Sequence, residues 1–355
     1  MVDWTSTMKQ TFEYYIVDPW TWKDTKQINT VISSKISRDL EADTLGSASI
    51  TITESVGECY IRIYLITIQN GIKERWPLGT YLVQTPSYSF DGKVKNITMD
   101  AYTPLIELKE KHPPLGYSVL KTENIMERVC MVIRENMRAP IVVSEKDEYL
   151  HSNFVANLDD TWMSFTKDLL ANAQMHMDLD ELGRVIFMPD QELAALQPIW
   201  TFDVNNSSIL YPSFNIEHDL YGIPNEVEVI YSDSEFKAST KVVNDNPNSP
   251  VSIVNRGRRI THRITDPAIA GNPNEEQVKE YALKILKDMS SIEYTVSYTH
   301  GYCPVRIGDC VRLNYPAAGL RNVKATVISQ SIDCVPGCPV TSKAVFTNNL
   351  WDGKR

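Results

Sequence analysis

From Phe12 to Tyr102 short apolar or alternating runs recur with turn signals between them, which is the pattern of an antiparallel β unit. Val31 to Ser37 and Ser47 to Thr53 flank the Asp43-Thr44-Leu45-Gly46 turn, and Tyr60 to Ile68 is an almost unbroken apolar and β-branched run. Asn70-Gly71 turns the chain back toward Arg75, because an Asn-Gly pair takes positive φ at little cost. Gly79 to Thr85 is the next strand. Asp91-Gly92 predicts a further hairpin, after which Ile97, Met99 and Ala101 point to one face and Thr98 and Asp100 to the other. A small barrel or sandwich over residues 1–110 is the expected result.

Between Pro113 and about Pro198 the period lengthens to that of a helix, which predicts an α+β insert over 111–200. Ile125, Val129, Ile133 and Met137 share one helical face, and Trp162, Phe165, Leu169 and Ala173 share another. Asp159 and Asp160 are the expected caps of the second helix. Met175 to Asp180 and Arg184 to Met188 read as a hairpin around Glu181-Leu182-Gly183.

Strands return at Ser208 to Glu217, Glu226 to Tyr231, Ile292 to Thr299, Cys310 to Tyr315, Lys324 to Asp333 and Val340 to Thr347. They predict a second β unit in two parts, 201–232 and 292–355, around an insertion over 233–291. That insertion opens on the Asn/Pro/Ser-rich linker Asn244 to Pro250. It holds one amphipathic helix with Val278, Tyr281, Ala282, Ile285 and Met289 on a face, and Asn274 and Gln277 at capping-box spacing. The predicted class is α+β, mainly β, with no solenoid-type repeat.

The chain has 355 residues, enough for two or three compact units, and 43% hydrophobic residues, which suits globular cores. A net charge of −10 disfavours general attraction to phosphate backbones or anionic membranes. No positive-then-apolar leader opens the sequence and no apolar run is of membrane-spanning length, so an unprocessed, soluble product of the cytoplasm is expected, with no membrane insertion. Six cysteines are sparse for this length, and reduced core thiols are the expectation.

Candidate chemistry is thin. His176, Asp178 and Asp180 alternate along a predicted strand and point to one side, as a divalent-metal site requires. Met175, Met177 and Leu179 on the other face make a half-buried strand with a solvated side the favoured reading. As a calcium loop the same stretch fails at Leu182 and Pro189, where carboxyl ligands belong. Cys303, Cys310, Cys334 and Cys338 lack the paired C-x-x-C spacing of a zinc ribbon. Arg256, Arg258, Arg259, His262 and Arg263 form the one dense basic patch, without interleaved aromatics, and a subunit contact or solvated face is preferred to nucleic acid. No serine-hydrolase elbow, phosphate loop, dinucleotide fingerprint or zinc-protease helix is present, so no catalytic, cofactor-binding or metal residues are assigned.

The order of a β unit, an α+β insert and a split second β unit resembles the hub proteins of bacteriophage tails. Trp76-Pro-Leu-Gly79-Thr-Tyr-Leu-Val83, Tyr88-Ser-Phe-Asp-Gly92 and Asp100-Ala-Tyr102-Thr-Pro-Leu105 resemble the end of a hub's first barrel. Asp160-Thr-Trp162 through Leu170 and Met177 to Pro189 resemble the family's helix and glycine-turned hairpin. Asn225-Glu-Val227-Glu-Val229, the Glu275 to Met289 helix and Pro304-Val-Arg-Ile-Gly308-Asp309-Cys-Val311 resemble its closing half. The family comprises the tail-tip or baseplate hubs of contractile and siphophage tails, related to the hub part of type VI secretion spikes.

The resemblance implies two tail-tube-like antiparallel β-barrels per chain and a non-enzymatic homotrimer without cofactors. Six barrels around an axis would make it a symmetry adaptor between a six-fold tail tube and a three-fold spike or fibre, lining the channel for DNA ejection. The implied partners are further copies of the chain, the tail tube or distal tail protein, a spike, fibre or tail-associated lysin, and other baseplate proteins, with no sequence-specific nucleic acid. The implied location is the virion tail tip, after synthesis in the host bacterial cytoplasm. Because the sequence stops at Leu350-Trp-Asp-Gly-Lys-Arg355, lytic or receptor-binding activity is expected on a separate chain. The alternative is a β-rich glycan- or receptor-binding module, suggested by seven tryptophans and seventeen tyrosines able to stack on sugars.

Overall fold

A computed structural model gives the structure of residues 2–90, 92–93, 95–142, 148–232, 237–265, 267 and 274–351. In chain order its elements begin with strands β1 (Lys9–Val17), β2 (Asp24–Ile28), β3 (Val31–Asp39), β4 (Gly46–Ile52), β5 (Tyr60–Gln69), β6 (Ile72–Phe90) and β7 (Lys95–Tyr102). Next come α1 (Ile106–Lys109), β8 (Ser118–Val119), α2 (Ile125–Asn136), β9 (Phe154–Val155), α3 (Trp162–Ala171), β10 (Met175–Leu179), β11 (Val185–Pro189), β12 (Trp200–Asp203) and β13 (Leu210–His218). The remainder are β14 (Glu226–Ser232), β15 (Lys237–Val243), α4 (Ile253–Arg256), β16 (Thr261–Thr265), α5 (Glu275–Met289), β17 (Ser291–Gly301), β18 (Cys310–Tyr315), β19 (Leu320–Asp333) and β20 (Pro339–Asn349). By its internal contacts the chain divides into two units, Met1–Ser213 with Tyr298–Ala344, and Phe214–Ser297 with Val345–Arg355. The class is mainly β, α+β.

In the first unit the strands follow the order β2-β1-β5-β6-β7-β4-β3, with every neighbour antiparallel. β5 is buried on both faces from Tyr60 to Thr67, which is why its sequence is apolar at all these positions but Arg62 and Thr67 instead of alternating. Asn70 and Gly71 both take positive φ, and Gln69 pairs with Ile72, so the two-residue hairpin forms as expected. Asp91 of the other expected hairpin lies outside the described residues, while Phe90 pairs with Lys95 across it.

Residues 329–333 of β19 pair with β3, and residues 320–326 pair with β18, which carries β12 in parallel. The two β regions are therefore joined by β19. No pairing among the described residues returns β2 to the far end of the ladder, so the expected barrels are not closed rings within the chain. The expected boundaries at 110 and 200 fall inside this one unit.

Within the insert, α2 buries Ile125, Met126, Val129, Cys130, Val132 and Ile133, and Asn124 caps it by accepting from the Glu127 N–H at 3.0 Å. The cap of α3 is Thr161, not Asp159 or Asp160. Thr161 and Ser164 form a reciprocal capping box, and Asp160 instead accepts from Ser164 Oγ and from the Asn157 N–H. Trp162 and Phe165 of α3 pack edge-on against Tyr117.

In the second unit a three-stranded sheet, β15-β14-β16, packs one face on α5. Val227 and Val229 of β14 meet Val278, Ala282 and Leu286, while Glu226 and Glu228 alternate to the uncovered face. The α5 capping box forms as read, with Asn274 and Gln277 exchanging bonds of 2.9 Å. The sequence reading of 233–291 as linker and helix missed β15 and β16. The Asn/Pro/Ser segment is an ordered turn in which Asn244, Ser249 and Ser252 are fully buried and Asn244 donates to Ser249 Oγ at 3.0 Å. Among the described residues no helix is long and apolar enough to cross a membrane.

Candidate functional site

The densest polar construction in the first unit surrounds the β10–β11 hairpin. Asp180 shapes its turn: one carboxylate oxygen accepts from the N–H groups of Leu182 and Arg184, and the other meets Arg184 Nε at 2.6 Å. Gly183 sits at φ +74°, where a glycine is cheap. The turn thereby aims the Leu182 carbonyl outward, and three donors converge on it: Trp22 Nε1 at 2.8 Å, Thr80 Oγ1 at 2.9 Å and Arg62 Nη2 at 3.0 Å.

Arg62 is 4% exposed, so its charge needs a partner. It finds Asp24 at 2.8 Å and also donates through Nε to Thr80 Oγ1 at 2.8 Å. Asp24 is further held by Tyr64 and Arg75. These groups come from β2, β5 and β6, so the first β region grips the tip of the insert's hairpin.

Arg306 holds the same hairpin from the second β region. It reaches Asp178 at 2.8 Å and Glu181 at 3.0 Å, and also donates to the Leu179 carbonyl. Its own backbone N–H donates to Asp309 at 2.6 Å, so the Gly308-Asp309 turn sets the arginine's starting point. Burial pushes the Asp178 carboxyl above its usual range, opposed by Arg306, and burial does the same to Asp309. Beside this node a cavity of about 40 Å³, lined in part by Arg38, Tyr81, Thr103 and Glu181, has room for a water molecule and little else.

This geometry corrects the reading of His176, Asp178 and Asp180 as one solvated row. Asp178 is buried on Arg306, Asp180 lies beyond the strand in the turn, and only His176 faces outward, 2.7 Å from Asp190. Each has its own partner. Among the described residues no three His, Cys, Asp or Glu side chains are grouped to hold a metal ion.

Cys303, Cys310, Cys334 and Cys338 are buried free thiols, and burial pushes all four up, Cys334 to about 11. His300 lies unexposed against the rings of Phe202 and Tyr298. Its Nδ1 bonds the Gly301 carbonyl at 2.7 Å and its Nε2 bonds Ser342 Oγ at 2.9 Å; burial pulls it down to about 4. Ser342 is equally unexposed, so the pair is a core contact and not a nucleophile with its base.

In the second unit the basic patch is largely tied up within its own sheet. Arg259 pairs with Glu226, and Arg263 and Lys241 flank Glu228 at 2.7 and 3.2 Å. Both carboxyls are held below their usual range, Glu226 first by the Thr261 hydroxyl and then by Arg259, Glu228 first by Arg263. Arg256 braces a loop by donating to the Leu220 and Ile223 carbonyls, each at 2.9 Å. Of the tryptophans, Trp4, Trp22 and Trp162 are buried, and Trp20 stands 86% exposed. Sequence reasoning missed Arg62 and Arg306, since a lone arginine in a strand or turn carries no spacing signal.

The chain is thus mainly β, α+β, with two β regions locked to one insert hairpin, and it shares its fold with two solved tail proteins. In particular, the chain is similar to the tail protein from Neisseria meningitidis MC58, with a TM-score of 0.62 at 10% identity over 97% of this chain and 98% of that one. It is also similar to the 43 kDa tail protein of prophage MuSo2 from Shewanella oneidensis, with a TM-score of 0.57 at 11% identity over 94% of this chain and 98% of that one. No family model and no curated protein matches the sequence.

Proposed function

We propose that the chain is a structural subunit of a phage tail or related contractile injection machine: a hub at the distal end of the tail, assembled as a homotrimer. The observation that carries this reading is the likeness in fold to two tail proteins over 97% and 94% of the chain. In this role the two β regions act as tube-like domains whose curved sheets are completed by neighbouring copies. A trimer then offers six similar edges to a six-fold tail tube and three equal faces to a spike or fibre. The net charge of −10 suits a channel through which DNA passes without being gripped.

The hairpin node fits the role mechanically. A subunit between tube and spike transmits load, and the buried Arg62 on one side of the hairpin and the half-buried Arg306 on the other hold the insert to both β regions. The proposed partners are the tail tube or distal tail protein, the spike, fibre or tail-associated lysin, and baseplate proteins, all within the virion. Deleting the gene and imaging the particles tests the reading. Filled heads with absent or malformed tail tips are expected, and normal infectious particles would overturn it.

A further inference from the structure

Trp20 is the most exposed tryptophan, and the turn that carries it is built to present it. Asp18 Oδ1 accepts from the Trp20 N–H at 3.0 Å, the Thr21 N–H at 2.7 Å and Thr21 Oγ1 at 2.9 Å. Two residues on, Trp22 is pinned through its indole to Leu182 and packs edge-on against Tyr60 at 4.9 Å. A large apolar ring held out on a fixed turn loses little entropy when it is covered, which is the profile of an interface anchor.

The same turn leads into β2, which pairs only with β1 and exposes Thr25, Lys26 and Gln27. Its outer backbone groups have no ladder partner among the described residues, a state that invites another strand. A second, different open edge exists in the same unit: among the described residues β12 pairs only with β18. At its start Trp200 is half-buried and Thr201 is exposed. Lys26 is the exposed charge of β2, whose Asp24 is already paired with Arg62 and Arg75, and Asp203 is the charge of β12, so the two edges are opposite in sign.

We infer that β2 of one copy docks on β12 of the next, with Trp20 as the anchor of that contact. Two unlike edges on every copy join head to tail, and a head-to-tail contact closes into a ring when its rotation allows. The inference rests on the homotrimer reading and adds to it which surfaces meet.

Mixing singly substituted Thr25→Cys and Thr201→Cys chains under mild oxidation tests it, alongside each variant alone and the unmodified protein. A disulfide-linked two-chain product in the mixture only is the expected result, with self-association of Trp20→Ala weaker by about 30-fold, as for an interface hot spot. A trimeric mass with no mixed product and no effect of Trp20→Ala would overturn the inference and leave the hub reading standing. A chain that stays monomeric with every tail protein would remove both.

Discussion

A β-carbon at residue 183 would lie 2.7 Å from the Thr80 β-carbon, whereas at residue 116, where φ is also positive, it would meet nothing within 4 Å. Gly116→Ala therefore carries only the backbone cost of about 1 kcal/mol, and Gly183→Ala adds a steric cost for about 2–4 kcal/mol in all. Urea unfolding of both variants checks the difference; equal losses would mean that the hairpin does not press on β6.

His300 sets a pH signature with a definite sign. A histidine depressed from 6.5 to about 4 leaves the unfolded chain binding a proton that the folded chain refuses. Its contribution is full above pH 6.5 and lost as pH falls toward 4, by about 3 kcal/mol over that window. The raised Asp178 and Asp309 carboxyls act oppositely, gaining stability as pH falls through their folded values, so the His300 part is read by difference. His300→Gln, which does not titrate, should flatten the stability-against-pH curve between 6.5 and 4; an unchanged curve would contradict the assignment.

Among the elements, the β10–β11 hairpin was legible in sequence because Gly183 and the flanking apolar runs mark it locally. What grips it was not. Arg62 and Arg306 meet it from strands and turns far away in the chain, and such pairings leave no periodic trace. Arg62→Met leaves Asp24 to Tyr64 and Arg75 and the Leu182 carbonyl to Trp22 and Thr80, so it should cost about 1–3 kcal/mol in urea unfolding; no loss would mean that Arg62 does not hold the hairpin. Arg306→Gln should speed amide hydrogen exchange across 175–189 while α2 stays protected; unchanged exchange would show that the second β region does not hold the hairpin. The helices α2, α3 and α5 were legible from their apolar faces, although Met137 and Ala173 lie just past the ends of α2 and α3. Strands β2, β15 and β16 were missed because their sequences, DTKQI, KASTKVV and THRIT, are too polar to show alternation, an edge position or ion pairs supplying what apolar burial does elsewhere.

For the whole molecule, strand-rich stretches before and after a pair of helices were readable from period changes alone. The connection of the two β regions through β3 and β19 was not readable, since it depends on pairing residues near 39 with residues near 329. Nor do the strands of the described residues close into a ring, and the hub account assigns that completion to other copies. The most direct test is the native mass of the purified chain, alone and mixed with the tail-tube and spike proteins of the same phage that are proposed as its partners. A three-copy assembly, alone or with those partners, is the result the account predicts; a monomer indifferent to every tail protein would contradict it.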